Sequence, residues 1–247
     1  MRLVTLRIAA LTLALTAGTA ARGAETADAE TLSLQPFRAT YKVEYRGLSA
    51  GELVFTLRRI DDERFEYFSK PRPSLLARLV VSSNALETTE FELEDGRVRP
   101  LRYRLEDGRS ATDDDVRMDF DWQRGEVAGV EEDQPVTLEL SPGMQDRMSI
   151  QIEVMAALRA GREPGTIAMI DGDRIKQYTY TREGTDRIAT PVGTFDAVIY
   201  SSTRPGSDRV ARFWYAPELG YVPVRGEQIR KGKLETVMTL DQFARIG

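Results

Sequence analysis

Asp119 and Asp121 flank Phe120, so a strand through these residues carries both carboxylates on one face, about 7 Å apart along the chain. Two carboxylates at such a spacing could act as acid and base on a glycosidic bond, where separations of about 5–9.5 Å are used. They could equally hold a calcium ion. The simpler reading is the solvated side of a strand whose other face holds Met118, Phe120 and Trp122, because alternation alone produces such pairs. Asp113-Asp114-Asp115 and Glu131-Glu132-Asp133 lack the Asp-x-Asp-x-Asp-Gly spacing of a calcium loop and read as solubilising turns. No metal site and no cofactor are expected.

Phe213-Trp214-Tyr215 offers a different chemistry. Three consecutive aromatics put bulky groups on both faces of a strand. Either the strand is buried on both sides, or one face lines a ligand cavity or a partner surface. If a curled sheet encloses space, Trp214 or its neighbours would line it. The apolar stretch around Leu75 and Leu79 would then cover the mouth.

The residue types that are missing narrow the options further. The chain has 247 residues with no histidine and no cysteine. That excludes a Ser-His-Asp triad, a thiolate nucleophile, a disulfide framework, and any His- or Cys-ligated metal. It also removes the cysteine that acylation would need. No GxxxxGK[ST], GxGxxG or GxSxG motif is present. Of the ionisable residues, 39 are acidic and 34 basic, a net charge of −5. An acidic protein of this kind lacks the basic footprint of a nucleic-acid binder, and its overall charge argues equally against binding anionic lipid head groups.

Residues 1–24 read as a secretory signal. Arg2 and Arg7 form a positive start, and Ile8 to Ala17 is an uncharged apolar run too short to span a bilayer. Removing them takes away Arg2, Arg7 and Arg22 but no acid, which moves the net charge to −8. The expected location is the periplasm, as a soluble protein rather than a lipoprotein and without a transmembrane segment after cleavage. Residues 25–35 are polar and aperiodic, and read as a flexible leader.

From Phe37 onward the dominant period is two. Phe37, Ala39, Tyr41, Val43 and Tyr45 alternate with polar residues, as do Leu53, Phe55 and Leu57, and Val116, Met118, Phe120 and Trp122. Asp95-Gly96, Asp107-Gly108 and Asp171-Gly172 supply hairpin-turn chemistry, which implies antiparallel neighbours. One segment, 146–160, switches to helical spacing, with Asp146 as cap and Gly161 where a left-handed residue is wanted. Residues 74–82, strongly apolar after Pro71 and Pro73, read as a short helix or a strand, and Ser74 as a cap favours the helix. These elements make residues 36–247 a single mainly β domain. Its expected form is one curved antiparallel sheet, an open or half β-barrel of about twelve strands, with the one amphipathic helix packed on it.

Four stretches carry a resemblance. Tyr41-Lys42-Val43-Glu44-Tyr45-Arg46-Gly47-Leu48-Ser49-Ala50-Gly51 resembles the opening strand and turn of the domain of unknown function 3108 family of exported Gram-negative proteins. Asp146-Arg147-Met148-Ser149, Pro191 to Asp196, and Phe213 to Arg225 are similar to later parts of the same family. The resemblance implies an exported, mostly β protein and supplies no catalytic residues.

The function expected from these residues is non-enzymatic. A periplasmic protein would bind a lipid-like apolar ligand or an envelope partner on its concave face, through Phe213, Trp214, Tyr215, Leu75 and Leu79. Two alternatives stand beside it. One is a carboxylate-dependent hydrolase of an envelope polysaccharide using Asp119 and Asp121. The other is a structural module in an envelope assembly.

Overall fold

The computed structural model describes residues 34–79, 81–109 and 115–246. The signal segment, residues 25–33 of the leader and the Asp113-Asp114 pair lie outside the described residues. Among these described residues fourteen strands form one antiparallel sheet. They are β1 (Phe37–Tyr45), β2 (Leu48–Arg59), β3 (Arg64–Pro73), β4 (Leu86–Glu94), β5 (Arg97–Glu106), β6 (Val116–Asp121) and β7 (Glu126–Glu131). They continue as β8 (Gln134–Glu139), β9 (Thr166–Asp171), β10 (Arg174–Thr190), β11 (Gly193–Thr203), β12 (Arg209–Ala216), β13 (Val222–Arg230) and β14 (Lys233–Arg245). Among the described residues one α-helix, α1 (Ser149–Arg159), stands between β8 and β9.

The strand count exceeds the expected twelve because β4, β7 and β13 hide their alternation. β4 carries Glu87, Glu90, Glu92 and Glu94, β7 is interrupted by Gly129, and β13 contains Pro223 and Gly226. Pro223 sits where the β12–β13 register shifts between Trp214 and Tyr215, a bulge that can accept a residue without an N–H.

The order β8-β7-β6-β5-β4-β3-β2-β1-β14-β13-β12-β11-β10-β9 is a meander that starts in the middle. β1 pairs β2 on one side and β14 on the other, so Phe37 lies opposite Arg245. The chain runs outward to the β8 edge, crosses through α1, and returns from the β9 edge. Tight turns enforce each reversal. Arg46-Gly47, Asp95-Gly96, Glu132-Asp133 and Lys231-Gly232 have positive φ at both central positions, the geometry that matches strand twist. The Asp171–Arg174 pairing places the next turn at Gly172-Asp173, one residue later than expected, whereas Asp107-Gly108 opens a longer loop.

Six register shifts, including those at Thr40/Tyr41, Glu90/Phe91 and Gln228/Ile229, bend the sheet. The bend brings the two ends of the strand order together. Asp173 N, in the β9–β10 turn, donates to Glu131 Oε2 at the end of β7, at 2.7 Å. Gly172 permits that approach, since a Cβ there would stand 1.8 Å from Glu131 Oε1. The edge of β9 is met by Gln145, whose N donates to Ala168 O at 2.9 Å and whose O accepts from Ile170 N at 2.8 Å. The result is a barrel-like curl left open between β8 and β9, with the 140–160 segment in the gap.

α1 is buried more completely than an amphipathic surface helix. Nine of its eleven residues are buried, and Ile150, Ile152, Val154, Met155 and Leu158 join the inward faces of the strands in one apolar cluster. Its start is set by a reciprocal cap. Asp146 Oδ1 accepts from Met148 N and Ser149 N at 2.8 Å each, and Ser149 Oγ accepts from Asp146 N at 2.8 Å. Its end is Gly161, at φ 66°, with Arg162 N donating to Ala157 O at 2.8 Å. Leu34, assigned to the flexible leader by its polar surroundings, is 2% exposed and belongs to the core.

Candidate functional site

Because successive side chains alternate, every strand of the curl sends residues i and i+2 into its hollow. Leu53 and Phe55 of β2, Ser69 and Pro71 of β3, Tyr178 and Tyr180 of β10, and Ala211, Phe213 and Tyr215 of β12 do so along one groove. Met148, Ile150 and Gln151, at the start of α1, close one side. Met169, Met238 and Pro223 complete the apolar wall of a cavity of about 590 Å³. This size falls in the range of roughly 300–1,000 Å³ typical of small-molecule sites. The floor is buried (Phe55, Met148, Met169, Tyr215), whereas Leu53, Leu86, Tyr178, Tyr180 and Phe213 are half-buried and form the rim.

Aromatic contacts brace the wall. Phe55 stacks on Tyr67 at 5.6 Å between centroids and meets Tyr41 edge-on at 5.7 Å; Tyr215 lies 5.9 Å from Phe213. Two of the hydroxyls are spent on the scaffold. Tyr41 donates to Pro223 O at 2.8 Å, and Tyr67 donates to Gln151 Oε1 at 3.2 Å, which pins α1 to β3. Burial raises the pKa of Tyr41, Tyr67, Tyr180 and Tyr215, so none ionises at ordinary pH.

A polar cluster marks one end of the groove. Arg147 Nε lies 3.4 Å from Glu87 Oε1, which also accepts from the Tyr103 hydroxyl at 2.6 Å. Asp171 reaches Arg147 at 4.0 Å and is itself paired with Lys176. These side chains hold one another, so the cluster is close to neutral and presents hydrogen-bonding edges rather than net charge.

Behind it, Asp146 is fully buried. Desolvation pushes its carboxyl up to about 6, against the hydrogen bonds from Thr89, Ser149 and Met148 that favour the charged form. Between the unfolded value of 3.8 and about 6, the folded chain keeps a proton that the unfolded chain releases. Stability must therefore fall as pH rises through that window and level off above it, by about 3 kcal/mol for this group. Asp146→Asn, which keeps an acceptor for Met148 N and Ser149 N, is expected to remove most of that slope. Urea melts between about pH 4 and pH 7 check this. Glu153, also shifted upward by burial, contributes a slope of the same sign.

The residues singled out by sequence divide. Phe213 and Tyr215 line the groove, and alternation turns Trp214 to the opposite face, where the Arg225 guanidinium stacks 5.5 Å from its ring. Leu75 and Leu79 do not cover the mouth. Residues 77–79 form one 3₁₀ turn instead of the expected helix, and both leucines point into solvent, 82% and 84% exposed. Pro71 and Pro73 precede this stretch and it is too short to propagate an α-helix.

Asp119 accepts from Arg102 Nε at 3.2 Å and from Arg104 at 2.7 Å, with its side chain 59% exposed. Asp121, 48% exposed, accepts from Gln123 N and Arg124 N at 3.0 and 2.9 Å and so caps the β6–β7 turn. Neither lines the groove. Sequence reasoning missed Tyr178 and Tyr180, although two tyrosines at i and i+2 flanking Thr179 signal an aromatic strand face. Among the described residues no group of three acidic side chains is placed to hold a metal ion, and no helix is long and apolar enough to cross a membrane.

The fold and this groove together define a barrel-like β protein with an apolar cleft in its hollow. The chain belongs to the family described as protein of unknown function DUF3108, whose sequence profile matches residues 40–239. No curated protein is significantly similar to it. Among solved structures, a β-barrel-like protein of the domain of unknown function DUF1849 from Brucella abortus shares the fold with a TM-score of 0.55. It is 14% identical, over 87% of this chain and 99% of that one. The hypothetical lipoprotein YmcC from Escherichia coli aligns over 90% of this chain and 92% of its own, at 13% identity and a TM-score of 0.34.

Proposed function

We propose that this is a periplasmic, non-enzymatic protein that holds one lipid-like molecule in the groove of the curled sheet. The observation that carries the reading is the cavity of about 590 Å³, walled by Phe55, Met169, Phe213, Tyr215 and Met238 and opening at a half-buried rim. An apolar chain would lie along the aromatic wall. Its polar end would meet the Arg147–Glu87–Tyr103 cluster, which offers donors and acceptors without net charge. The periplasmic location follows from the signal-like residues 1–24.

The hydrolase alternative draws no support from the geometry. Asp119 and Asp121 are ion-paired or turn-capping on a solvated face, with neither carboxylate desolvated in a cleft. The reading is tested on protein purified from its own periplasm, by native mass spectrometry followed by organic extraction. A bound lipid at close to one per chain is expected. Protein that carries nothing, and takes up no fatty acid or phospholipid when offered, would end the proposal.

A further inference from the structure

The side chains most at odds with an acidic, water-soluble surface are those of the β3–β4 loop. Leu75, Leu76 and Leu79 are 82%, 76% and 84% exposed. A large apolar side chain in water is ordinary when it stands alone, but a contiguous group marks a surface that meets something apolar. Here the group is contiguous. Leu48, 71% exposed at the start of β2, lies with Leu76, Val81, Val43 and Tyr45 around a shallow apolar depression of about 450 Å³.

The loop is not a loose excursion. Ser74 N donates to Ala50 O at 3.0 Å and Ser74 Oγ to Ser49 O at 3.1 Å, which ties the start of the loop to β2. Arg78 N donates to Ser74 O at 3.0 Å and Val81 N to Ala77 O at 2.8 Å, which fixes the turn. At the far end Ser82 Oγ donates to Gly108 O at 3.0 Å. An anchored base that displays three leucines outward bears the conformational cost of their arrangement before any partner arrives.

Charge identifies the partner. Between Tyr67 and Leu86 the chain carries Lys70, Arg72 and Arg78 and no acid, although the whole protein has a net charge of −5. Arg72 is paired with Glu52 at 3.3 Å, but neither Lys70 nor Arg78 has a carboxylate partner among the described residues. Exposed leucines beside open cations are the composition of an interfacial membrane contact, in which apolar groups enter the acyl boundary and cations meet anionic head groups. Pro71, Ala85 and Leu86, at the two feet of the loop, line the concave groove. A surface seated through this loop would therefore face the groove's rim.

We propose that the Leu75–Leu79 part of the β3–β4 loop is a membrane-docking element that seats the protein on an anionic phospholipid bilayer by inserting Leu75, Leu76 and Leu79. The surface is separate from the groove lining, and the inference stands whether or not the groove holds a lipid. Co-sedimentation of the purified mature chain with vesicles of phosphatidylglycerol and phosphatidylethanolamine tests it, with phosphatidylcholine vesicles as the neutral control.

Binding to the anionic vesicles is expected, weakened at about 0.5 M salt. The triple variant Leu75→Ser, Leu76→Ser, Leu79→Ser should reduce the partition coefficient by at least about tenfold. Arg78→Glu should reduce it by about fivefold or more. Melting temperature and near-ultraviolet circular dichroism should change little in either variant, because these side chains lie mostly in solvent. Wild-type protein that stays in the supernatant overturns the proposal, as does a triple variant that sediments like wild type. A wild-type dimer in analytical ultracentrifugation that the triple variant converts to monomer, without vesicle binding by either, assigns the patch to a second copy and likewise overturns it.

Discussion

Protein carrying Ala211→Trp is expected to emerge from its periplasm with at least about tenfold less bound lipid than wild type, a loss of ~1.4 kcal/mol or more in binding. Ala211 stands opposite Ser202 and Gln228 and points into the groove two residues before Phe213. Its small side chain stands in the lining between Ser202 of β11 and Gln228 of β13. An indole there would occupy a large share of the cavity of about 590 Å³ that a ligand must fill. Because the position is only half-buried, the added ring can turn into the open groove rather than into packed neighbours. The stability cost should then stay at or below the ~1–3 kcal/mol of ordinary overpacking. Val192→Trp, at the exposed β10–β11 turn, serves as the control and should leave the lipid content unchanged. Extraction and mass spectrometry of the three proteins, normalised to folded chain, is the measurement. Equal lipid in all three would remove the groove from consideration.

Ile152→Ala is expected to cost about 2–5 kcal/mol, a large share of the roughly 5–15 kcal/mol that stabilises a domain. Ile152 is 0% exposed and packs in the cluster joining α1 to the strands. Removing its side chain leaves a cavity that the surrounding sheet cannot collapse into, since that sheet is held in its curl by pairing from β8 to β9. The urea midpoint should fall with the slope unchanged. The same truncation at Leu75, which is 82% exposed, should move stability by less than about 0.5 kcal/mol. Two leucine-sized side chains in one chain thus separate core from display. The Ile152 change should also loosen the groove, because Met148, Ile150 and Gln151 reach it from the same helix.

Much of this architecture could be read before folding. The alternation at Phe37–Tyr45 and at Val116–Asp121 marked strands that the structure contains. Asp146 and Gly161 bracketed the helix because both act through local backbone chemistry: an N-cap carboxylate and a left-handed C-terminal residue. Asp95-Gly96 marked a hairpin for the same local reason. Where a second influence competed, the reading failed. Pro223 and Gly226 masked β13, and the apolar run after Ser74 suggested a helix that becomes an exposed turn.

The site was less legible. Phe213 and Tyr215 were found because three adjacent aromatics are unusual on any strand. Trp214, the middle one, was grouped with them although a period of two requires it to face the other way.

By itself, then, the sequence determined the antiparallel sheet, its capped helix at 146–160, the acidic balance, and the absence of imidazole and thiol chemistry. Each of these depends on residue identity or on spacing within a dozen positions. Only the tertiary structure decided that β1 pairs with β14 about two hundred residues away. Only it placed Glu131 against Asp173 across the opening of the curl. Only it turned Ala211, Phe213 and Tyr215 inward while leaving Leu75, Leu76 and Leu79 in solvent. The physical reason is that alternation assigns residues to the same face without saying which face is inside. That choice belongs to the direction in which fourteen strands bend, and the bend is set by bulges and close approaches between segments distant in the chain.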